Sequence, residues 1–189
     1  SEPWLIPNIE KLNTFPVEFH TNPDGFHPFM RDNETLARAW AIPGTPGLEH
    51  RIGGLEKDYA TSNISYDPAN HQRMTEVRAE KISGIANEIP LQEVAYGPKQ
   101  GPLAVVGWGS TFGAIEEAVH AAAEEGLEVA HIHINYLNPM PKNMGGLLAG
   151  YKDILVPEMN SGQLVKLLRS AYLLLAEGLN KVTGQPFKV

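Results

Sequence analysis

The 189-residue chain contains no cysteine. That excludes disulfides, thiol nucleophiles, cysteine-type structural zinc and cysteine-ligated iron–sulfur clusters. A metal centre that exchanges electrons with this chain must therefore sit on another polypeptide. Basic residues are also few: 15 Lys and Arg against 22 Asp and Glu leave a formal net charge of −7. This balance argues against nucleic acid, because neutralising phosphates requires clustered Lys and Arg. Long apolar runs are missing as well. The stretch Ala171 to Ala176, around its tyrosine, falls far short of the ~20 residues a membrane-spanning helix needs. There is no secretory pattern of basic start and apolar stretch, so the expected location is the cytoplasm. Asn33-Glu34-Thr35 and Asn63-Ile64-Ser65 are then chance matches to the glycosylation sequon. P-loop, nucleophile-elbow and Gly-Asp-Gly diphosphate motifs are all absent.

What is present is an ordinary globular composition, 42% hydrophobic and 20% charged, in two halves of different texture. Residues 1–66 hold seven of the 15 prolines (Pro3, Pro7, Pro16, Pro23, Pro28, Pro43 and Pro46). Proline removes a backbone donor and disfavours helix at the residue before it. Yet Trp4, Ile6, Phe15, Val17, Phe19, Phe26, Phe29 and Trp40 are too many large apolar groups for a disordered linker. This half reads as an extended arm packed on a neighbouring surface. The opening Ser1-Glu2-Pro3-Trp4, with the first methionine at Met30, suggests that this surface belongs to a preceding part of a longer polypeptide. Asp67-Pro68 then caps and opens a connector helix over 68–86, with Met74, Val77, Ile82 and Ile85 as its apolar stripe. Residues 87–102 return to proline and glycine and read as a linker, which places the domain boundary near 100/101.

From Leu103 onward, strand and helix alternate. Leu103 to Gly107 is a short, wholly apolar strand of the kind buried on both faces of a parallel sheet. A helix over 111–125 follows, with Ser110 as its expected cap. Further expected elements are strand 127–134, helix 141–150, strand 153–158 and a last helix from Ser161 to Glu177 that stops at Gly178. This order predicts right-handed βαβ units and a Rossmann-like doubly wound α/β sheet over 101–189. The last helix carries leucine around most of its circumference, which predicts burial on two sides, one of them a partner surface with Leu168 and Tyr172 facing it.

Four groups of residues could carry chemistry. Gly107, Gly109 and Ser110 stand at a strand-to-helix turn where glycines let a phosphate approach the helix start. The full dinucleotide fingerprint needs a glycine where Phe112 stands. It also needs an acidic residue at the end of the second strand, which instead reads His131-Ile132-His133-Ile134-Asn135. His131 and His133 share one face of that strand, but two ligands without a third make no zinc site, and the pair reads as histidines hydrogen-bonded under a helix. Glu158, Asn160, Ser161 and Gln163 lie where the third strand meets the last helix, as helix caps or as part of an interface on that rim. Gly47 to Gly54 encloses Glu49, His50 and Arg51 and is either an anion-binding turn or a solvated loop. The residues alone thus supply no complete active site.

Several strings taken together resemble a known family. They are Gly107-Trp108-Gly109-Ser110-Thr111, His131 through Pro141, Leu155 through Leu164, Gly178-Leu179-Asn180-Lys181-Val182, Asp67 through Met74, and Gly47-Leu48-Glu49-His50. In this order they resemble the C-terminal third of the alpha subunit of 2-oxoacid:ferredoxin oxidoreductases, especially the 2-oxoglutarate type. The resemblance implies oxidative decarboxylation of a 2-oxoacid on thiamine diphosphate, with electrons passed through iron–sulfur clusters to ferredoxin and formation of an acyl-coenzyme A. It implies a transketolase C-terminal-like domain with no catalytic residue and no cofactor of its own. Thiamine diphosphate, magnesium and the iron–sulfur cluster are then expected elsewhere in the complex. The expected partners are the beta subunit and the N-terminal part of the same alpha subunit, with ferredoxin and coenzyme A reached through the complex. The alternative is a stand-alone Rossmann-like module that binds a nucleotide or acyl-CoA at the Gly107 turn.

Overall fold

The computed structural model describes residues 6–12 and 17–188. The expected anchors Trp4 and Phe15 lie outside the described residues. The chain groups into two units, 1–81 and 82–189. The end of the expected connector helix (82–86) and the expected linker from 87 onward therefore group with the α/β domain.

The first unit is built from turns around a small core. Asp32 Oδ1 accepts from the backbone N–H groups of Glu34 and Thr35 and from the Thr35 hydroxyl. Asp58 repeats the arrangement with Ala60 and Thr61. These donors favour the ionised form and hold both carboxyls below the usual carboxylate range. Leu48, Met74 and Val77 are buried, and Lys57 is buried with them. The ammonium of Lys57 donates to the carbonyls of Gly53 and Leu55 and lies 5.0 Å from the centre of the Phe29 ring. Helix α1 (Pro68–Gly84) opens as expected, with Asp67 Oδ2 accepting from Asn70 N–H at 3.0 Å. Asn70 in turn accepts from Tyr59 N–H and donates to the Lys57 carbonyl, tying the helix to the turns. Trp40, Val17 and Phe19 stay exposed, at 58%, 52% and 45%.

The second unit holds β1 (Gly101–Trp108), α2 (Phe112–Glu124), β2 (Val129–Ile134), α3 (Met144–Leu148), β3 (Tyr151–Glu158), α4 (Gln163–Tyr172) and β4 (Ala176–Asn180). The strands form one parallel sheet in the order β2-β1-β3-β4. Period-two alternation sends Ala130, Ile132 and Ile134 to one face, where they pack with Met144, Leu148, Leu164 and Leu168. On the other face Val129 packs with Ile115 and Val119 of α2. Each fully buried Ile or Leu contributes about 1.5–3 kcal/mol relative to exposure. The doubly wound α/β sheet read from the sequence is the observed architecture. Beyond the strands, Tyr96 forms an antiparallel bridge with His131 on the outer side of β2.

Two expectations need correction. The last helix ends at Tyr172, and the residues expected to extend it to Glu177 instead turn and form β4. Leu173 adopts a left-handed conformation (φ 54°) and its N–H donates to the Arg169 carbonyl, closing the helix. Pairing of β4 with β3 overrides the helical propensity of a leucine run. Ser110 is also not the cap of α2, which begins at Phe112. The buried Thr111 stands at that position without a side-chain bond to the amides of α2; its hydroxyl instead accepts from Trp108 N–H at 3.3 Å and donates to the Trp108 carbonyl at 2.9 Å.

Candidate functional site

In a doubly wound sheet the ligand crevice lies outside the carboxyl ends of the strands, where the winding reverses. Here β1 leads to β2 on one side and β3 leads to β4 on the other, so the crevice falls between the ends of β1 and β3. Trp108 and Glu158 are the last residues of those two strands. The indole N–H of Trp108 donates to Glu158 Oε1 at 3.3 Å. Glu158 is fully buried. Its Oε1 also accepts from Asn160 Nδ2 at 3.1 Å and Leu164 N–H at 2.8 Å, and its Oε2 accepts from Val165 N–H at 3.1 Å. Asn160 Oδ1 accepts from the N–H groups of Gly162 and Gln163 at 2.8 and 2.9 Å.

The free amides at the start of α4 are therefore satisfied by two side chains of the chain itself. A phosphate approaching this helix terminus would meet a carboxyl group seated where the anion would bind. The Gly107 turn is closed in a similar way. A Cβ at Gly107 would fall inside contact distance of Ile115 Cδ1 and 2.7 Å from Thr111 Oγ1, so this glycine serves close packing of α2 on β1. Gly109 (φ 57°) has open space around it and supplies the turn. Ser110 is exposed and borders a shallow cavity with Met159, Gly184, Gln185 and Pro186.

The expected interface residues divide by burial. Leu168 and Glu158 are fully buried inside their own domain and present no side chain to a partner. Tyr172 is half-buried, with its hydroxyl 3.3 Å from Met140 Sδ. Gln163 is exposed, and its contribution to the cap is made by its backbone, leaving its side chain free of that task. Within its own domain the last helix buries one side. Leu164, Val165 and Leu168 form one buried stripe, while Leu167 is 41% and Leu173 90% exposed.

His131 and His133 do lie on the α2 face, but His131 is not hydrogen-bonded there, whereas His133 has the Gly109 backbone as a partner. Both ring nitrogens of His131 and Nδ1 of His133 are buried without a partner among the described residues. The Phe112 ring stands 5.0 Å from His131 and 4.9 Å from His133. Desolvation, with smaller effects from His133 and His120, lowers the His131 pKa to about 4, and desolvation also lowers that of His133. In the Gly47–Gly54 loop, the Gly53 carbonyl faces the Lys57 ammonium, so that stretch aims an acceptor at a cation rather than N–H groups at an anion. Among the described residues no group of three His, Cys, Asp or Glu could hold a metal ion. With no cysteine in the chain, the donor set cannot hold a cysteine-ligated cluster.

Sequence reading named Glu158 on the rim but missed its partner Trp108. Asn160 carries a recognisable cap signature three residues before Gln163. Glu158 reaches amides six and seven positions ahead and Trp108 meets it across 50 residues, separations at which no local pattern exists.

Residues 102–186 match the family model described as pyruvate:ferredoxin oxidoreductase core domain II. The chain is 46% identical over 187 residues to the 2-oxoglutarate oxidoreductase subunit KorA of Mycobacterium tuberculosis, covering 99% of this chain and 28% of that protein. It is 34% identical over 156 residues to a 2-oxoacid:ferredoxin oxidoreductase alpha subunit of Saccharolobus solfataricus, covering 79% of this chain and 22% of that one. Its fold is similar to a solved 2-oxoglutarate:ferredoxin oxidoreductase from Magnetococcus marinus, with 2-oxoglutarate, coenzyme A and succinyl-CoA bound. That match has a TM-score of 0.86 and 27% identity, and covers 96% of this chain and 32% of the other. The chain thus spans between about a fifth and a third of the relatives it matches. Over that span it belongs to the 2-oxoacid:ferredoxin oxidoreductase alpha-subunit family.

Proposed function

We propose that this chain is the C-terminal scaffold and interface domain of the alpha subunit of a thiamine-dependent 2-oxoglutarate:ferredoxin oxidoreductase. The whole complex makes succinyl-CoA and reduced ferredoxin in the cytoplasm. This chain packs against the beta subunit and the N-terminal part of its own subunit. Thiamine diphosphate, magnesium and the iron–sulfur cluster are held by those other parts, and the chain alone is inactive. One observation carries the reading: the crevice where a sheet of this kind would take a ligand is filled by Trp108 and Glu158, both engaged in holding α4. The choice of 2-oxoglutarate rests on the names of the relatives above.

The test has two arms. Coenzyme A and thiamine diphosphate with magnesium are titrated calorimetrically into the 189-residue chain. No binding is expected, and micromolar binding would overturn the scaffold reading in favour of a ligand-binding module. Gln163→Trp is then placed in the full-length alpha subunit co-expressed with its beta subunit. The expected result is less assembled complex, with unchanged 2-oxoglutarate-dependent ferredoxin reduction per complex. Full assembly with slowed turnover would assign this rim to catalysis instead.

A further inference from the structure

Strand β4 is the edge of the sheet, and among the described residues no other strand pairs with its outer side. Its hydrogen-bonding parity is fixed by two contacts. Lys181 N–H donates inward to the Glu158 carbonyl at 2.9 Å, while the Ala176 carbonyl accepts from Arg169 Nε at 2.7 Å on the other side. Odd-numbered residues therefore bond to β3, and the N–H and C=O groups of Gly178 and Asn180 point away from the sheet. An exposed edge of this kind is a template for strand addition.

The side chains say what could add. Ala176, Gly178 and Asn180 face α4: Ala176 is buried in the core beneath it, and the Asn180 amide lies near Gly162 and Gly178. Glu177, Leu179 and Lys181 share the opposite face, and all three are exposed. Leu179 is 46% exposed, and Leu175, just before the strand, is 96% exposed. The series Glu177, Leu179, Lys181 reads acid, apolar, base at alternate positions, so it is its own complement when reversed.

We infer that two copies of this chain associate through β4, in antiparallel register about a two-fold axis at Leu179. Leu179 then faces Leu179 of the second copy in a non-hydrogen-bonded pair, the arrangement in which opposed side chains come closest. Glu177 of each copy faces Lys181 of the other, and the outward groups of Gly178 and Asn180 close the ladder. Every contact occurs twice, as an isologous interface requires. A one-step shift of register would oppose inward-bonded residues to outward ones, and a two-step shift would separate the charge pairs.

The absence of cysteine gives a direct test. Leu179→Cys carries the sole thiol of the chain and, under mild oxidation, is expected to form a disulfide-linked dimer. Glu177→Cys is not, because its equivalents lie about 13 Å apart, four residues along the ladder. In parallel, sedimentation of the cysteine-free chain is expected to show a dimer. Glu177→Lys should weaken it at least tenfold, and Glu177→Lys with Lys181→Glu should restore it. A monomer at all concentrations up to ~100 µM, equal cross-linking at both thiols, or a dimer indifferent to the charge reversal would each overturn the inference. Circular dichroism of each variant separates loss of association from loss of fold.

Discussion

The indole N–H of Trp108 and the buried carboxyl of Glu158 meet at 3.3 Å, joining the ends of two neighbouring parallel strands. Because the same carboxyl receives the amides of Leu164 and Val165, β1, β3 and α4 share one junction. Glu158→Ala removes the acceptor of four donors at once, two of them the buried amides of Leu164 and Val165, and each unsatisfied buried donor costs about 1–3 kcal/mol. The expected result is a loss of at least ~3 kcal/mol in urea denaturation. Glu158→Gln retains one oxygen acceptor and should lose clearly less.

Leu168 and Leu173 lie on one helix and its cap, yet they should respond oppositely. Leu168→Asp puts a charge into the core and is expected to prevent folding. Leu173 is 90% exposed and left-handed, so Leu173→Gly relieves strain and should be neutral or stabilising by up to ~1 kcal/mol. Thermal unfolding followed by circular dichroism distinguishes the two.

Glycine positions give a graded pair. A Cβ at Gly107 meets the tip of Ile115, a side chain that can turn aside, whereas one at Gly97 (φ 90°) meets the backbone carbonyl of Val129. Gly97→Ala should therefore cost more than Gly107→Ala. Ile115→Val should recover part of the Gly107→Ala loss and none of the other, as read by denaturation midpoints.

His131 makes stability depend on pH. Its folded pKa is lowered to about 4, below the ordinary histidine value near 6.5, so the unfolded chain binds more protons between them. Stability from this group is present above about 6.5 and declines as pH falls toward 4, by up to ~3 kcal/mol. The groups around it are His133, His120 on α2, and the Phe112 ring, none of them acidic. Replacing His131 with Phe should flatten that part of the stability–pH curve.

Much of this was legible in the residues. The apolar run from Leu103 to Val106 and the glycine-bounded helices identified a parallel sheet wound on both faces, because periodicity reports which side is covered. Asp67-Pro68 and Asn160 declared helix starts through local chemistry. What escaped was decided at long range. Leu174-Leu175-Ala176 look helical in isolation, and only pairing with β3 makes them the approach to a strand. Glu158 looks like a rim acid until its partners across the crevice are known. Leu168 was expected at an interface because a leucine-rich helix does not announce where it will stop. Its early end at Tyr172 reduces the apolar girdle to a single buried stripe.

The bridge between Tyr96 and His131 gives the sheet two unlike margins. On the β2 side, the amides of Ala95 and Tyr96 and the carbonyl of Tyr96 already occupy the backbone of His131. A newcomer strand would first have to displace them. Growth of the sheet is consequently possible from one margin only. An assembly that extends at β4 closes on itself after a single addition, with eight strands and a plugged margin at either extremity. That is the difference between a discrete particle and an open-ended fibre.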